Sequence, residues 1–154
     1  MFVYFIRTRT GFEDLVKLLE AECGPDFAVL RPELCFSEKF LRYTLFLAYK
    51  SFQDNRASAR TIGLEWLCRI AGTGNVSKAL GFCLPPKEKG TVAGIACAKK
   101  IPQETLAAAG SEVKTGLNAL GKKAAAHFGV TKEALARYPL EDLLIEKAAL
   151  AGAT

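Results

Sequence analysis

The sequence predicts one α+β (or α/β) domain, a small mixed or antiparallel sheet packed by about six helices. Three observations predict it. The chain has 154 residues, 50% hydrophobic and 24% charged, enough to bury one sizeable core. Short β-forming runs alternate with stretches of helical apolar spacing. No repeat and no long linker divides the chain, so 1–154 reads as a single domain.

The elements follow in order. Phe2–Ile6 is a short apolar run rich in β-formers, hence a strand, and Gly11 breaks it. Residues 12–22 place Phe12, Leu15, Val16, Leu18 and Leu19 at helical spacing behind two early acids, and Gly24-Pro25 ends that helix. Phe27–Leu30 is a second strand, stopped by Pro32. Ser37 is the N-cap of a helix that runs to about Gln53, with a wide apolar face that includes Phe40, Leu41, Thr44, Ala48 and Phe52. Asp54-Asn55 marks a turn, and Ser58 is the expected cap of the next helix, 60–71. That helix carries Ile62, Trp66 and Ile70 on one stripe and closes at Gly72. Asn75 caps a short helix from Val76 to about Gly81.

Thr91–Ala98 is uniformly small and apolar, which suits an interior strand covered on both faces. Pro102 and Gln103 open a helix through Ala109. Assignment is poor between Gly110 and Leu117, where a strand starting at Glu112 is one option. The chain then reads helical from Gly116 to Phe128, breaks at Gly129, restarts at Thr131 and breaks at Pro139. Leu140–Ala151 is the last helix, with Leu143, Leu144, Ala148 and Leu150 as its core set.

Little in the pattern carries catalytic chemistry. Nucleophile motifs and phosphate-cradling glycine motifs are absent from the sequence. Gly72-Thr73-Gly74 lacks a following lysine and does not follow a strand. The single histidine, His127, lies near a helix end, where it can meet the carbonyls of that end. The five cysteines, at 23, 35, 68, 83 and 97, include no C-x-x-C pair, so they read as reduced core thiols rather than zinc ligands. A thiol enzyme using Cys68, Cys83 or Cys97 with His127 is the weakest functional class. Glu65 stands four residues before Arg69, the spacing of a favourable surface pair. The expectation is a protein that is not an enzyme and needs no cofactor or metal.

No run reaches membrane-span length, and the first residues have no basic region ahead of their apolar stretch. The expected location is cytoplasmic, with no membrane contact and no small-molecule substrate. Net charge is +5, and residues 78–123 carry the whole excess, with 8 lysines against 3 acids. An anionic partner such as nucleic acid fits that excess, and so does an ordinary solvated surface, the plainer reading.

The ordered residues Ser37–Phe40, Arg60-Thr61-Ile62 with Glu65, Ala71-Gly72, and Val76 with Ala79-Leu80 resemble the PRPK-binding protein family, the small subunit of the KEOPS (EKC) complex. In that family a helix begins near "FSEKHL". An Arg-(Ser/Thr)-Leu-x-x-Glu helix, a Ser/Ala-Gly turn and an Ile-x-x-Ala-(Ile/Leu) helix follow. The likeness covers residues 29–82 well and 139–151 fairly. It implies a non-catalytic accessory subunit of threonylcarbamoyladenosine tRNA modification, which docks on the kinase-like ATPase subunit, raises its activity and binds the tRNA 3′ CCA end. It also implies a small antiparallel or mixed sheet packed by helices. Carried onto this chain, Gly72, Asn75, Val76, Ala79 and Leu80 are the candidate partner contacts. Arg60, Arg69, Lys78, Lys99 and Lys100 are candidates for phosphate, and Trp66 reads as core rather than as a base platform. Many archaeal members carry Arg-Gln-Ile where this chain has Gly74-Asn75-Val76, so the arginine is missing here. The alternative is a stand-alone RNA-binding or protein-interaction module.

Overall fold

Four strands order the molecule: β1 (Phe2–Thr8), β2 (Phe27–Leu30), β3 (Val92–Cys97) and β4 (Gly110–Glu112). A computed structural model describes residues 1–88 and 90–151. The sheet order is β2-β3-β1-β4, and every pairing is antiparallel. The fold is therefore α+β with a purely antiparallel sheet, which settles the open choice between mixed and antiparallel. Register is set by Phe2↔Cys97 and its successors between β1 and β3, and by Phe27↔Cys97 between β2 and β3.

β3 is flanked on both edges, and both of its faces are covered, as its small apolar run predicts. Ala93, Ile95 and Cys97 point to one core and Ala96 to the other. Gly94 is required by packing, because a Cβ there would lie 2.6 Å from the Cys35 Sγ. On the first face lie α1 (Phe12–Cys23) and α5 (Gln103–Ala109), which bury Leu15, Leu19 and Leu106 against Ile6, Val29 and Ile95. On the second face lie α2 (Glu38–Gln53), α3 (Ile62–Ala71), α4 (Val76–Cys83) and α8 (Leu140–Ala151), around Phe40, Leu41, Trp66 and Leu144. Trp66 is fully buried, and its indole N–H donates to the Thr44 hydroxyl at 2.9 Å, so its one polar atom is satisfied. A 3₁₀ turn at Pro32–Cys35, α6 (Leu117–Phe128) and α7 (Lys132–Arg137) complete the described elements. No helix among the described residues is long and apolar enough to cross a membrane.

Several boundaries differ from the sequence expectation. Ser37 does cap α2, accepting from the Phe40 N–H at 3.1 Å, and its hydroxyl also donates to Glu141 at the start of α8. Ser58 does not cap α3. Thr61 does, through the Leu64 N–H, and helix geometry begins at Ile62. The poorly assigned stretch forms β4 at Gly110–Glu112, so Glu112 closes a strand rather than opening one. Leu150 was expected in the core but is 61% exposed, because α8 presents only Leu144 and Ala148 fully to α2 and α3.

Candidate functional site

The residues singled out around the 71–80 turn come together at the corner joining α3 and α4. α3 ends because Gly72 adopts the left-handed conformation, at φ 71° and ψ 37°. Its N–H reaches the Arg69 carbonyl at 3.3 Å, and the Thr73 N–H reaches that of Cys68 at 3.1 Å. This is the Schellman pattern, which satisfies two otherwise orphaned carbonyls. The Lys147 stem of α8 drapes over the glycine, since a Cβ there would lie 3.0 Å from Lys147 Cε. The same lysine places its Nζ 5.6 Å above the Phe128 ring.

α4 then starts from two side-chain caps. Thr73 Oγ1 accepts from the Asn75 N–H at 3.1 Å, and Asn75 Oδ1 accepts from the Lys78 N–H at 3.1 Å. Gly74 faces Ser58. A Cβ there would sit 3.2 Å from the Ser58 hydroxyl, so a larger residue needs that loop to give way.

The five partner-contact candidates divide. Asn75 is exposed, and Gly72, Val76 and Leu80 are half-buried. Val76 and Leu80 both pack on the core beneath α3, so Val76 faces inward with part of its surface open. Ala79 is fully buried and offers nothing to a partner, which corrects its assignment. It sits three residues after Val76, on the turn of α4 that meets α3. The outward face of α4 is Asn75, Ser77, Lys78 and Gly81.

The cationic candidates divide as well. Arg60, Lys78, Lys99 and Lys100 are exposed, on three separate segments: the loop before α3, α4, and the bend after β3. Arg69 is not on the surface, and its assignment to phosphate is corrected. Its side chain is 9% exposed, it lies 3.4 Å from the Glu65 carboxylate, and it donates to the Ser51 hydroxyl of α2.

Glu65 is likewise no surface residue. Its side chain is 1% exposed, and its Oε2 accepts from the Ser58 and Ala59 N–H groups at 2.8 and 3.0 Å. The pair is thus a buried latch that ties the 58–60 loop and α2 to α3. Its satisfied hydrogen bonds are what make burying both charges tolerable. The i, i+4 spacing revealed the pair but not its depth. The hint was Ser58, whose backbone rather than side chain serves a helix here.

His127 meets carbonyls, but of another helix. Its Nε2 lies 2.8 Å from the Phe82 carbonyl at the end of α4, and its ring stacks on Phe82 at 4.1 Å between centroids. It pins the C-terminal end of α4 to α6. All five cysteines are unpaired and buried. Burial pushes the Cys35 and Cys23 thiols up to about 12 and Cys68 to about 11, and it raises Cys83 further. Cys97 adds to the rise at Cys23, and the nearby Lys99 opposes it. Such thiols hold their protons at neutral pH and are weak nucleophiles. Among the described residues no group of three or more His, Cys, Asp or Glu side chains gathers as a metal site.

A comparison with protein-family models and with curated proteins finds no match for the chain.

Proposed function

We propose that the chain is a non-catalytic, cytoplasmic accessory subunit of the KEOPS type. It docks on a kinase-like ATPase subunit through the α3–α4 corner and helps hold the 3′ CCA end of tRNA during threonylcarbamoyladenosine modification. One observation carries the reading. Of the residues that resemble the PRPK-binding family, Glu65, Gly72, Val76 and Leu80 lie at one corner: Glu65 in the latch, Gly72 at the turn, and the half-buried Val76 and Leu80 beside the exposed face of α4, which Asn75 caps. A helix held this firmly at both ends can dock with little ordering cost. Tail binding would rest on Arg60, Lys78, Lys99 and Lys100, with Arg69 occupied internally.

The test mixes the protein with the kinase-like subunit of its own genome and follows co-elution and ATPase rate. Complex formation with stimulation is expected, and neither appearing would reject the reading. Val76→Glu is expected to weaken docking while leaving a cooperative unfolding transition. Loss of that transition would make Val76 a core residue instead. For the RNA arm, tRNA with and without its CCA end is compared at two salt concentrations. Affinity is expected to fall steeply with salt and to depend on the tail. Equal affinity for both tRNAs removes tail recognition, and binding without any kinase docking favours the stand-alone RNA-binding module.

A further inference from the structure

One end of the sheet gathers exposed aromatic rings and unpaired cations. Phe2, Cys97 and Phe27 form a row across β1, β3 and β2, spanning two strand spacings, about 10 Å. Cys97 and Phe27 belong to the first core, so Phe2 leaves β1 on that same face. It ends the row 41% exposed. Just past Cys97 the chain bends at 98–101. The Ala98 N–H donates to the Asp26 carbonyl and the Ile101 N–H to the Tyr4 hydroxyl, both at 3.1 Å. These bonds fold the bend over the face that carries Phe2, and they hold Lys99 and Lys100 there, both exposed. On the far side of β1 the Val113 N–H donates to the Phe5 carbonyl at 2.8 Å, which brings the exposed Lys114 level with Tyr4.

Tyr49 of α2 reaches this end from the other face. Its hydroxyl donates to the Asp26 carboxylate while the residue stays 41% exposed. The start of α3 abuts here too, since a Cβ on Gly63 would lie 3.8 Å from the Pro25 and Phe27 carbonyls. Arg60, three residues earlier, is exposed. Arg60, Lys99, Lys100 and Lys114 form no ion pair with a described residue. Of the acids here, Asp26 is engaged by Tyr49, and Glu22 shares the surroundings of Cys23 with Lys99 without pairing with it. Lys78 lies elsewhere, in the first turn of α4 beside the other end of α3, one helix length of about 15 Å away.

We propose that this end of the sheet binds single-stranded RNA. Phe2 and Tyr49 each stack one base, and Lys99, Lys100, Lys114 and Arg60 meet the phosphates. Unpaired bases stack on surface aromatic rings, and cations without protein partners neutralise phosphate at little cost. The inference rests on the RNA arm of the proposed function and deepens it. The strand lies at the sheet end, the α3–α4 corner is left to the protein partner, and Lys78 takes no part.

The experiment uses the full chain and a fluorescein-labelled single-stranded RNA octamer ending in CCA, with binding read by fluorescence anisotropy. Phe2→Leu and Tyr49→Leu are each expected to weaken binding about fivefold or more, whereas Phe2→Trp and Tyr49→Phe keep it within about twofold. Lys99→Gln combined with Lys100→Gln is expected to lower the slope of log K against log salt by about 1.4, and Lys78→Gln to leave it unmoved. The octamer annealed to its complement is expected to bind about tenfold more weakly or worse, because its bases are then stacked inside the duplex. Leucine variants that bind like the parent chain, or equal affinity for the duplex, would overturn the inference while the RNA arm stands. A loss of affinity on Lys78→Gln but not on the Lys99 and Lys100 changes would also overturn it, placing the strand on α4. Absence of binding by the parent chain overturns the inference and the RNA arm together, and kinase co-elution then judges docking by itself. The lysine variants and the duplex decide the matter even where a leucine variant unfolds.

Discussion

α3 and α4 are neighbours joined by one left-handed glycine, yet they are built differently. In α3 every residue from Glu65 to Ala71 is buried, charged pair included. In α4 only Ala79 and Cys83 are. α3 is a strut that spends its whole circumference on contacts with α2, α4, α8 and β2. α4 rests one side on that strut and leaves the other to solvent. The difference teaches how a small domain presents a surface: the element beneath is over-determined so that the element above can be incompletely packed. Substitutions in α3 should therefore act on stability, and those on the outer face of α4 should leave stability nearly unchanged and act on docking if the proposed function holds.

The largest effect should come from Glu65→Ala. It strands the Arg69 guanidinium and two loop N–H groups in a buried site, and breaking such a pair costs about 3–5 kcal/mol. Urea unfolding should show the loss as a lower midpoint. A change under 1 kcal/mol would mean the latch is solvated in solution, and the contrast between the two helices would collapse. Next is Gly72→Ala. The left-handed backbone costs a Cβ-bearing residue about 1–2 kcal/mol, and the Lys147 stem must also move aside. Asn75→Ala removes the α4 cap and should cost about 1 kcal/mol. Because α4 is held also by His127 and Ala79, its fold should survive, so helix content by circular dichroism is expected to stay within error.

The smallest effect at neutral pH is the titration of the buried thiols. The Cys35 thiol titrates near 9.0 when unfolded and about 12 when folded. Its contribution is therefore complete below pH 9 and is lost as pH rises toward 12. Stability should be flat near neutrality and fall across that alkaline window, and Cys35→Ala should shallow the fall. An unchanged slope would show that Cys35 does not stay buried under those conditions.

Much of the fold was legible because its signals are local. Ser37 and Asn75 cap helices through their own side chains three residues on, and Gly72 must be glycine for a reason contained in its own φ angle. The small apolar run Thr91–Ala98 suits an interior strand, and Val92–Cys97 forms it. Of the candidate site residues, the sequence pattern left depth undecided. Arg69 read as an exposed cation and Ala79 entered as a partner contact through the resemblance alone, and both prove to be buried. A residue with polar chemistry at helical spacing is neutral about depth until a second element covers it.

What the sequence determined by itself is therefore the order of most elements and the caps at Ser37, Gly72 and Asn75, which rest on interactions within a few residues of chain. What only the tertiary structure decided is depth and pairing. Ser51 of α2 reaches Arg69, Glu65 reaches back to Ser58 and Ala59, His127 of α6 grips the end of α4, and α3 lies against β2. These depend on which surfaces meet. Hydrophobic burial drives that meeting without direction, and the directional bonds then form only where the assembled layers bring donors and acceptors within reach.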